Sequence, residues 1–333
     1  EALKTKQAKI EFHFIGTSHG PEEFLIKGTN WQFHKIRSGK LRRYFSLKNY
    51  WDVVKIIVGV IQSFFLLIRL RPKIIISAGS YVAVPVIWAG WILRVPSLTH
   101  QLDLKVGLAN KLILKIVKKI TVGFWETKEM IGSNKTIVTG NPIRAEILGG
   151  DEKNAEQYFN LQSDIKTVLI MGGGTGSEAI NKVVIEILPE LVKKYQVIHL
   201  TGAGKKGSDI SNPRYRSFEI LGSDMKRAYT AADLIVARAG LSTLSEISAL
   251  GKASIIIPLP DSPQIQNAHY FDKHQAIKAV NQNRLTNESL LNEISLYLEN
   301  DQARNQLAAN MIKLATPDAA QKIADQVFDL IKP

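Results

Sequence analysis

Short runs of Val, Ile and Leu alternate along the chain with longer stretches whose nonpolar positions recur at helical spacing, and glycine marks the breaks between them. In the first half, residues 10–16, 31–36, 73–77 and 96–99 read as strands. Residues 50–72 form one apolar helix closed by Pro72, with nonpolar side chains around nearly its full circumference. In the second half, a strand at 167–171 runs into a glycine-rich turn and then a helix reaching Tyr195. That helix carries Val183, Val184, Ile187, Leu188, Leu191 and Val192 on one stripe. Strands at 196–201 and 218–221 follow. The stretch that organises the rest is 231–267: a buried strand at 233–237, a break at Gly240, a helix ended by Gly251, and a second buried strand at 254–258. Beyond Asn267 the reading is helical, ending in a helix over 318–330. Strand, turn and helix repeating in this order predict an α/β protein with parallel sheets.

Open parallel sheets hold ligands at the carboxyl ends of their strands, and the polar residues of 231–267 fall there. Ser242 or Thr243 is placed to cap the helix, with Glu246 in its first turn. Thr243 and the N–H groups around Gly240 favour an anion such as a diphosphate. Glu246 can accept hydrogen bonds from a pair of sugar hydroxyls, and Arg238 offers a fixed positive fork. Together these point to a nucleotide-sugar. The plainer reading is that Glu246 completes a capping box and pairs with Arg238. The turn GGGTGS, with Gly173, Gly174 and Thr175, has the general strand–turn–helix form that receives phosphate. Its spacing is not the dinucleotide fingerprint, and no acidic residue ends the next strand. No Asp-x-Asp cluster stands beside the phosphate turns, so neither a metal nor any other cofactor is expected.

Composition and charge change the picture in three ways. A chain of 333 residues accommodates two α/β domains. The absence of cysteine excludes disulfides, thiolate metal sites and a cysteine nucleophile. The opening EALKTKQAKIEFHF is charged and then strand-like, so no secretory leader is expected there. Residues 1–150 hold 23 Lys and Arg against 9 Asp and Glu, whereas residues 151–333 hold 20 against 21. A basic half beside a neutral one implies an anionic partner. The basic residues cluster around the apolar helix: Arg42, Arg43 and Arg69 lie near Trp51, Phe64 and Phe65. Basic and aromatic residues together suit either anionic headgroups or RNA; the aliphatic excess favours lipid, with no nucleic acid expected. Lys55, Gln62 and Ser63 interrupt the helix, which is read as too short an apolar run to span a membrane. His100, alone at a strand end, reads as a structural histidine as readily as a catalytic one.

The wording of these segments resembles the MurG glycosyltransferases, which add N-acetylglucosamine to lipid I in peptidoglycan synthesis. Arg238, Gly240, Thr243, Glu246, Gly251, Pro258, Gln264 and Asn267 match the family's nucleotide-sugar signature. Gly107, Leu108, Asn110 and Lys111 match a helix start of the first domain, TIVTGNPIR matches the domain junction, and Gly222 to Met225 match a turn near the nucleotide base. Departures occur at Pro263, where a first Gln is usual, at Gly174 and Thr175 for Ser and Gln, and at Gln101, Leu102 and Asp103 for Glu, Gln and Asn. The resemblance implies a GT-B fold: two Rossmann-like, doubly wound parallel-sheet domains facing a cleft. It divides the chain into an acceptor domain (1–143), a donor domain (144–316) and a terminal helix (317–333) crossing back onto the first. It implies UDP-N-acetylglucosamine as donor, with Arg144 facing the nucleotide, Gly222 reading the uracil through its backbone, Met225 packing nearby, Glu246 on the ribose, and Gln264 and Asn267 facing the donor sugar and phosphates. On the acceptor side it implies Gly79, Tyr81, Asp103 and Asn110, with Asp103 and His100 as candidates for the general base.

The implied reaction inverts the anomeric carbon and joins N-acetylglucosamine to the C4 hydroxyl of the muramyl sugar of lipid I. The implied location is peripheral, on the cytoplasmic face of the cell membrane. The family's first strand and a Gly-rich turn ending in His are expected upstream of Glu1. Two other readings remain open: a related membrane-associated enzyme glycosylating diacylglycerol, and a UDP-sugar-binding protein without catalysis.

Overall fold

The computed structural model describes residues 1–7, 9–18, 23, 26, 29–39 and 48–332. Two compact units divide the chain, one made of Glu1–Gly140 with Asp318–Pro333, the other of Asn141–Pro317.

In the first unit a short helix α1 (Ala2–Lys6) precedes two parallel strands, β1 (His13–Gly16) and β2 (Gln32–Lys35). Their aromatic residues stack in pairs, Phe12 on Trp31 and Phe14 on Phe33. Next comes the long helix α2 (Lys48–Leu70), then β3 (Ile75–Ser77), α3 (Ala83–Ile92), β4 (Ser97–Gln101), α4 (Leu108–Ile113), β5 (Lys119–Val122), α5 (Trp125–Ile131) and β6 (Thr136–Val138). Strands β3 to β6 form a parallel sheet in that order. Among the described residues the first unit thus carries two parallel sheets, β1-β2 and β3-β4-β5-β6. Its core is aliphatic, with Ile87, Leu98, Ile113, Ile120 and Val122 fully buried. The terminal helix (Ala319–Ile331) belongs to this unit: Lys6 pairs with Asp325, and Lys119 Nζ reaches Gln326 at 2.7 Å and Asp329 at 3.3 Å.

Helix α2 runs two residues short of Pro72 and stops at Arg71, whose φ of 47° leaves the helical region. Its inward side carries Asp52, Gly59, Ser63 and Leu67, all buried, with Phe64 turned partly into the core. Gly59 is needed here because a Cβ would stand 2.1 Å from the Arg37 carbonyl. A second apolar stripe is turned to solvent: Val54, Ile57, Ile61, Phe65 and Ile68 are exposed, Phe65 by 67%. Residues Tyr50–Leu70, whose most apolar 18 residues have a mean hydropathy of 2.2, are long and apolar enough to cross a membrane by length and composition, which corrects the count that made the run too short.

The second unit opens with α6 (Glu152–Phe159), capped by Asp151, and continues through β7 (Thr167–Met171), α7 (Glu178–Lys194), β8 (Gln196–Leu200), β9 (Tyr215–Phe218), α8 (Met225–Ala231), β10 (Leu234–Ala237), α9 (Leu241–Leu250), β11 (Ser254–Ile256), α10 (Gln264–Lys273) and β12 (Lys278–Ala279). Two more helices, α11 (Asn287–Glu299) and α12 (Asp301–Ile312), complete it. The six strands are parallel in the order β12-β11-β10-β7-β8-β9. Every residue of β7, β8, β10 and β11 is buried, as a sheet covered on both faces requires. The strand read at 218–221 lies earlier: Tyr215 is the buried, paired residue, and Ile220, which looked like strand interior, sits in the following turn and is 61% exposed.

Candidate functional site

Strand β7 has β10 on one side and β8 on the other, so the connection after β7 and the connection after β10 leave the sheet side by side. This is the crevice where a doubly wound sheet can receive a ligand. The turn after β7 is tightly fitted. Gly173 and Gly176 have φ of 84° and 69°, and a Cβ on Gly176 would lie 1.9 Å from the Thr201 carbonyl. Ser177 caps α7, accepting from the Ile180 N–H at 3.3 Å. Gly174 and Thr175 are exposed. An open hollow of about 440 Å³ lies against this turn, lined among others by Gly172, Thr175, Ser177, Lys205, Arg238 and Gln264.

Arg238 is buried, and its guanidinium is bound to the protein. Nη1 donates to the Ile257 and Pro258 carbonyls at 3.0 and 3.2 Å, and Nη2 to Ser177 Oγ at 2.6 Å. Burial lowers its pKa. The expected free fork is therefore corrected to a brace, which ties the β7 turn to the end of β11. Gln264 heads α10 on the rim of the hollow, its Oε1 accepting from the Leu259 N–H at 3.0 Å. Asn267, expected to face the donor sugar, is fully buried, and its Nδ2 donates to the Ala239 carbonyl at 3.1 Å. Helical spacing turns Asn267, Ala268 and Phe271 to the interior together.

Helix α9 departs from its expected start. Gly240 is the N-cap with extended backbone, and neither Ser242 nor Thr243 caps it. Leu241 packs inward and sets the first turn, which leaves Glu246 in the second turn, outside any capping box. Nor does Glu246 pair with Arg238. Its carboxylate is buried between two other donors: Arg144 Nε gives to Oε1 at 2.9 Å, and Tyr229 Oη gives to Oε2 at 2.9 Å. The Glu246 hydrogen bond holds the Arg144 pKa above its usual value, and Glu146 lies 3.5 Å from Arg144 Nη1. Burial, with the Glu246 charge beside it, pushes the Tyr229 phenol well above its ordinary range. Gly222 opens a single 3₁₀ turn with φ of 55°, and Met225 behind it is buried at the start of α8. Thr243 is half-buried on the first turn of α9.

Two site residues escaped the sequence reading. Lys205, in the loop after β8, lines the hollow and donates from Nζ to the Thr175 carbonyl at 3.0 Å; its signal was a basic residue at the carboxyl end of the strand beside β7. Tyr229 lies on α8, and nothing in its spacing marks the hydroxyl.

In the first unit, Gly79 has φ of 84° and no room for a side chain, since a Cβ would stand 2.4 Å from the Asn110 amide nitrogen. Asn110, expected to meet the acceptor, is buried instead. Its Nδ2 donates to Gln101 Oε1 at 2.5 Å and its Oδ1 accepts from Thr99 Oγ1 at 3.2 Å, a network that closes the end of β4. His100 is buried in the same strand, 2.9 Å from Thr121 Oγ1, the arrangement of a structural histidine rather than an accessible base. Asp103 is partly exposed, and its main-chain carbonyl accepts from Gln101 Nε2 at 2.7 Å. Tyr81 is half-buried and packs on the core. Trp51, Phe65 and Arg69 are exposed on α2, whereas Phe64 is turned inward; Arg42 and Arg43 lie outside the described residues.

Parallel α/β units with a glycine turn at the sheet's switch point define a doubly wound fold of the nucleotide-binding type. The family models for the glycosyltransferase family 28 N-terminal and C-terminal domains match residues 1–122 and 167–323. The chain is 36% identical over 296 residues to the UDP-N-acetylglucosamine–N-acetylmuramyl-(pentapeptide) pyrophosphoryl-undecaprenol N-acetylglucosamine transferase of Clostridium perfringens, covering 87% of this chain and 83% of that one. The protein of the same name from Clostridium tetani is 32% identical over 329 residues, covering 97% and 91%. Among solved structures, Acinetobacter baumannii MurG superposes with a TM-score of 0.74 at 24% identity, covering 98% of this chain and 94% of that one. The chain belongs to glycosyltransferase family 28, in its MurG branch.

Proposed function

We propose that this protein transfers N-acetylglucosamine from UDP-N-acetylglucosamine to the C4 hydroxyl of the N-acetylmuramyl unit of lipid I. The names of its relatives from Clostridium perfringens and Clostridium tetani support that reaction. The observation that carries the donor half of the reading is the Glu246 carboxylate, held between Arg144 and Tyr229 with its side chain 10% exposed. Such a group is suited to a vicinal diol, and the ribose of UDP has one. The diphosphate is assigned to the hollow at the Gly172–Ser177 turn, where N–H groups of α7 and Lys205 meet negative charge.

In the reaction the acceptor oxygen bonds to the anomeric carbon as the bond from that carbon to the β-phosphate oxygen breaks. The hydroxyl proton leaves to a base, and the electron pair of the broken bond stays on UDP. The chain's part is to hold the donor in line and to stabilise the leaving diphosphate through fixed dipoles and cations. That assignment includes charge compensation without a metal ion. Transfer should persist in excess EDTA; activity abolished by the chelator and restored by Mg²⁺ would overturn it. Turnover of labelled UDP-N-acetylglucosamine with lipid I, and none with diacylglycerol, is the expected result for the acceptor. Product from diacylglycerol alone would reassign the substrate, and UDP binding without transfer to either would remove the catalytic reading.

We place the protein against the membrane through the first unit. The outward stripe of α2 (Val54, Ile57, Ile61, Phe65, Ile68) is exposed, as are Trp88, Trp91 and Ile92 of α3, the helix packed against it, with exposed Arg69, Arg71 and Lys73 at the helix end. An apolar face with basic residues at its border suits a peripheral position on anionic lipid, here assigned to the cytoplasmic face.

A further inference from the structure

We propose that Tyr229 is a positioning residue that sets the plane of the Glu246 carboxylate for a cis-diol. The inference rests on the reading above that Glu246 receives the ribose hydroxyls. Tyr229 is fully buried in α8, and its ring fills space in the core of the second unit. Its hydroxyl is spent on one partner, Glu246 Oε2, at 2.9 Å. Arg144 takes the other oxygen at the same distance. A carboxylate oxygen accepts two hydrogen bonds, so each oxygen of Glu246 keeps one acceptor position after these bonds are made. Two donors on two different oxygens fix the terminal torsion of the side chain, which is otherwise soft. The remaining acceptor positions form a fork that two neighbouring hydroxyls can enter together.

Without the phenol, the carboxylate is free to turn about that torsion and give both oxygens to the Arg144 guanidinium, a geometry Arg favours. The fork toward the diol is then lost, although the charge remains. Because the phenol stays protonated through the neutral range, it acts as a donor throughout. Arg144, Glu246 and, beyond Arg144, Glu146 are the charged groups around it.

The test compares UDP with 2′,3′-dideoxy-UDP by calorimetry on the wild type, Tyr229→Phe, Glu246→Gln and the double variant. Tyr229→Phe should weaken UDP about tenfold and leave the dideoxy compound unchanged, so the preference for ribose collapses. The double variant should be no worse than Glu246→Gln alone. If Glu246→Gln removes the ribose preference and Tyr229→Phe preserves it, the Tyr229 inference falls while the site reading stands. Equal weakening of both ligands by Tyr229→Phe also overturns the inference, since that is what general loosening produces. If Glu246→Gln keeps the ribose preference, the site reading itself fails. Should Tyr229→Phe not fold, 3,5-difluorotyrosine placed at 229 keeps the shape with a more acidic phenol. The ribose preference should then decline at a lower pH than in the wild type, and an unmoved profile overturns the inference.

Discussion

Glu246 is the residue whose reading changed most between sequence and structure. Spacing offered it as a cap or as a partner for Arg238, and both roles went elsewhere: Gly240 caps the helix with no side chain, and Arg238 is taken up by Ser177 and two carbonyls. Its actual partners come from 102 residues earlier and 17 residues earlier in the chain, separations that no local pattern encodes. A buried carboxylate with two donors and two open acceptor positions is costly to keep unless something uses it. Glu246→Ala should weaken UDP binding by about 1.5–3 kcal/mol, the range for hydrogen bonds to a charged group. Calorimetry reads this directly; an unchanged affinity would make Glu246 a structural anchor for Arg144 alone.

The second unit's sheet depends on a buried polar link among three elements. His199 on β8 accepts at Nδ1 from Tyr215 Oη on β9 at 3.0 Å, and its Nε2 faces Asn181 Oδ1 on α7 at 3.2 Å. The Asn181 oxygen only accepts, so Nε2 carries the proton. Burial lowers the His199 pKa from 6.5 to about 4. The unfolded chain therefore binds a proton on this group at a higher pH than the folded chain does. Its stabilising contribution is complete above pH 6.5 and is lost as pH falls from 6.5 toward 4, with about 2 kcal/mol gone by pH 5. Urea melts at pH 7.5 and pH 5 should show this loss, and His199→Gln should remove most of the difference. A wild-type difference that the variant retains in full would assign the acid sensitivity to other groups. The same elements show what periodicity reads well. Strands β7, β10 and β11, buried on both faces, stood out as largely aliphatic runs, and β8 as one interrupted by His199, whereas the edge strand β9 was displaced by three residues because its buried residue is Tyr215 and not the nearby Ile220.

For the molecule as a whole, the unusual property is a helix that packs Leu67 and Phe64 inward and still turns a second apolar stripe outward. An ordinary surface helix keeps its outward side polar. Here α2 buries Asp52, Gly59 and Ser63 and exposes Ile57, Ile61 and Phe65 by more than half. Replacing these three by Ser should reduce partition onto anionic vesicles at least about tenfold and leave UDP affinity unchanged. Raising the salt should weaken the remaining attraction of the basic residues but not the apolar part. Loss of UDP binding in the same variant would mean that the substitution disturbs more than the surface, and unaltered sedimentation with vesicles would remove α2 from the membrane contact.

The sequence by itself determined the α/β class, the succession of most elements, the excess of positive charge in the first half, and the glycine turn before α7. Each follows from local rules: periodicity, the conformational freedom of glycine and the count of charges. Only the tertiary structure decided what the polar residues do. It buried Asn110 and Asn267, made Arg238 a brace, brought Arg144 and Tyr229 to Glu246, and set Lys205 beside the turn after β7. A side chain's spacing specifies the face it leaves from. Whether it meets solvent, a ligand or a carbonyl depends on which distant segment packs against that face, and hydrogen bonds that satisfy buried polar groups form only after that packing is complete.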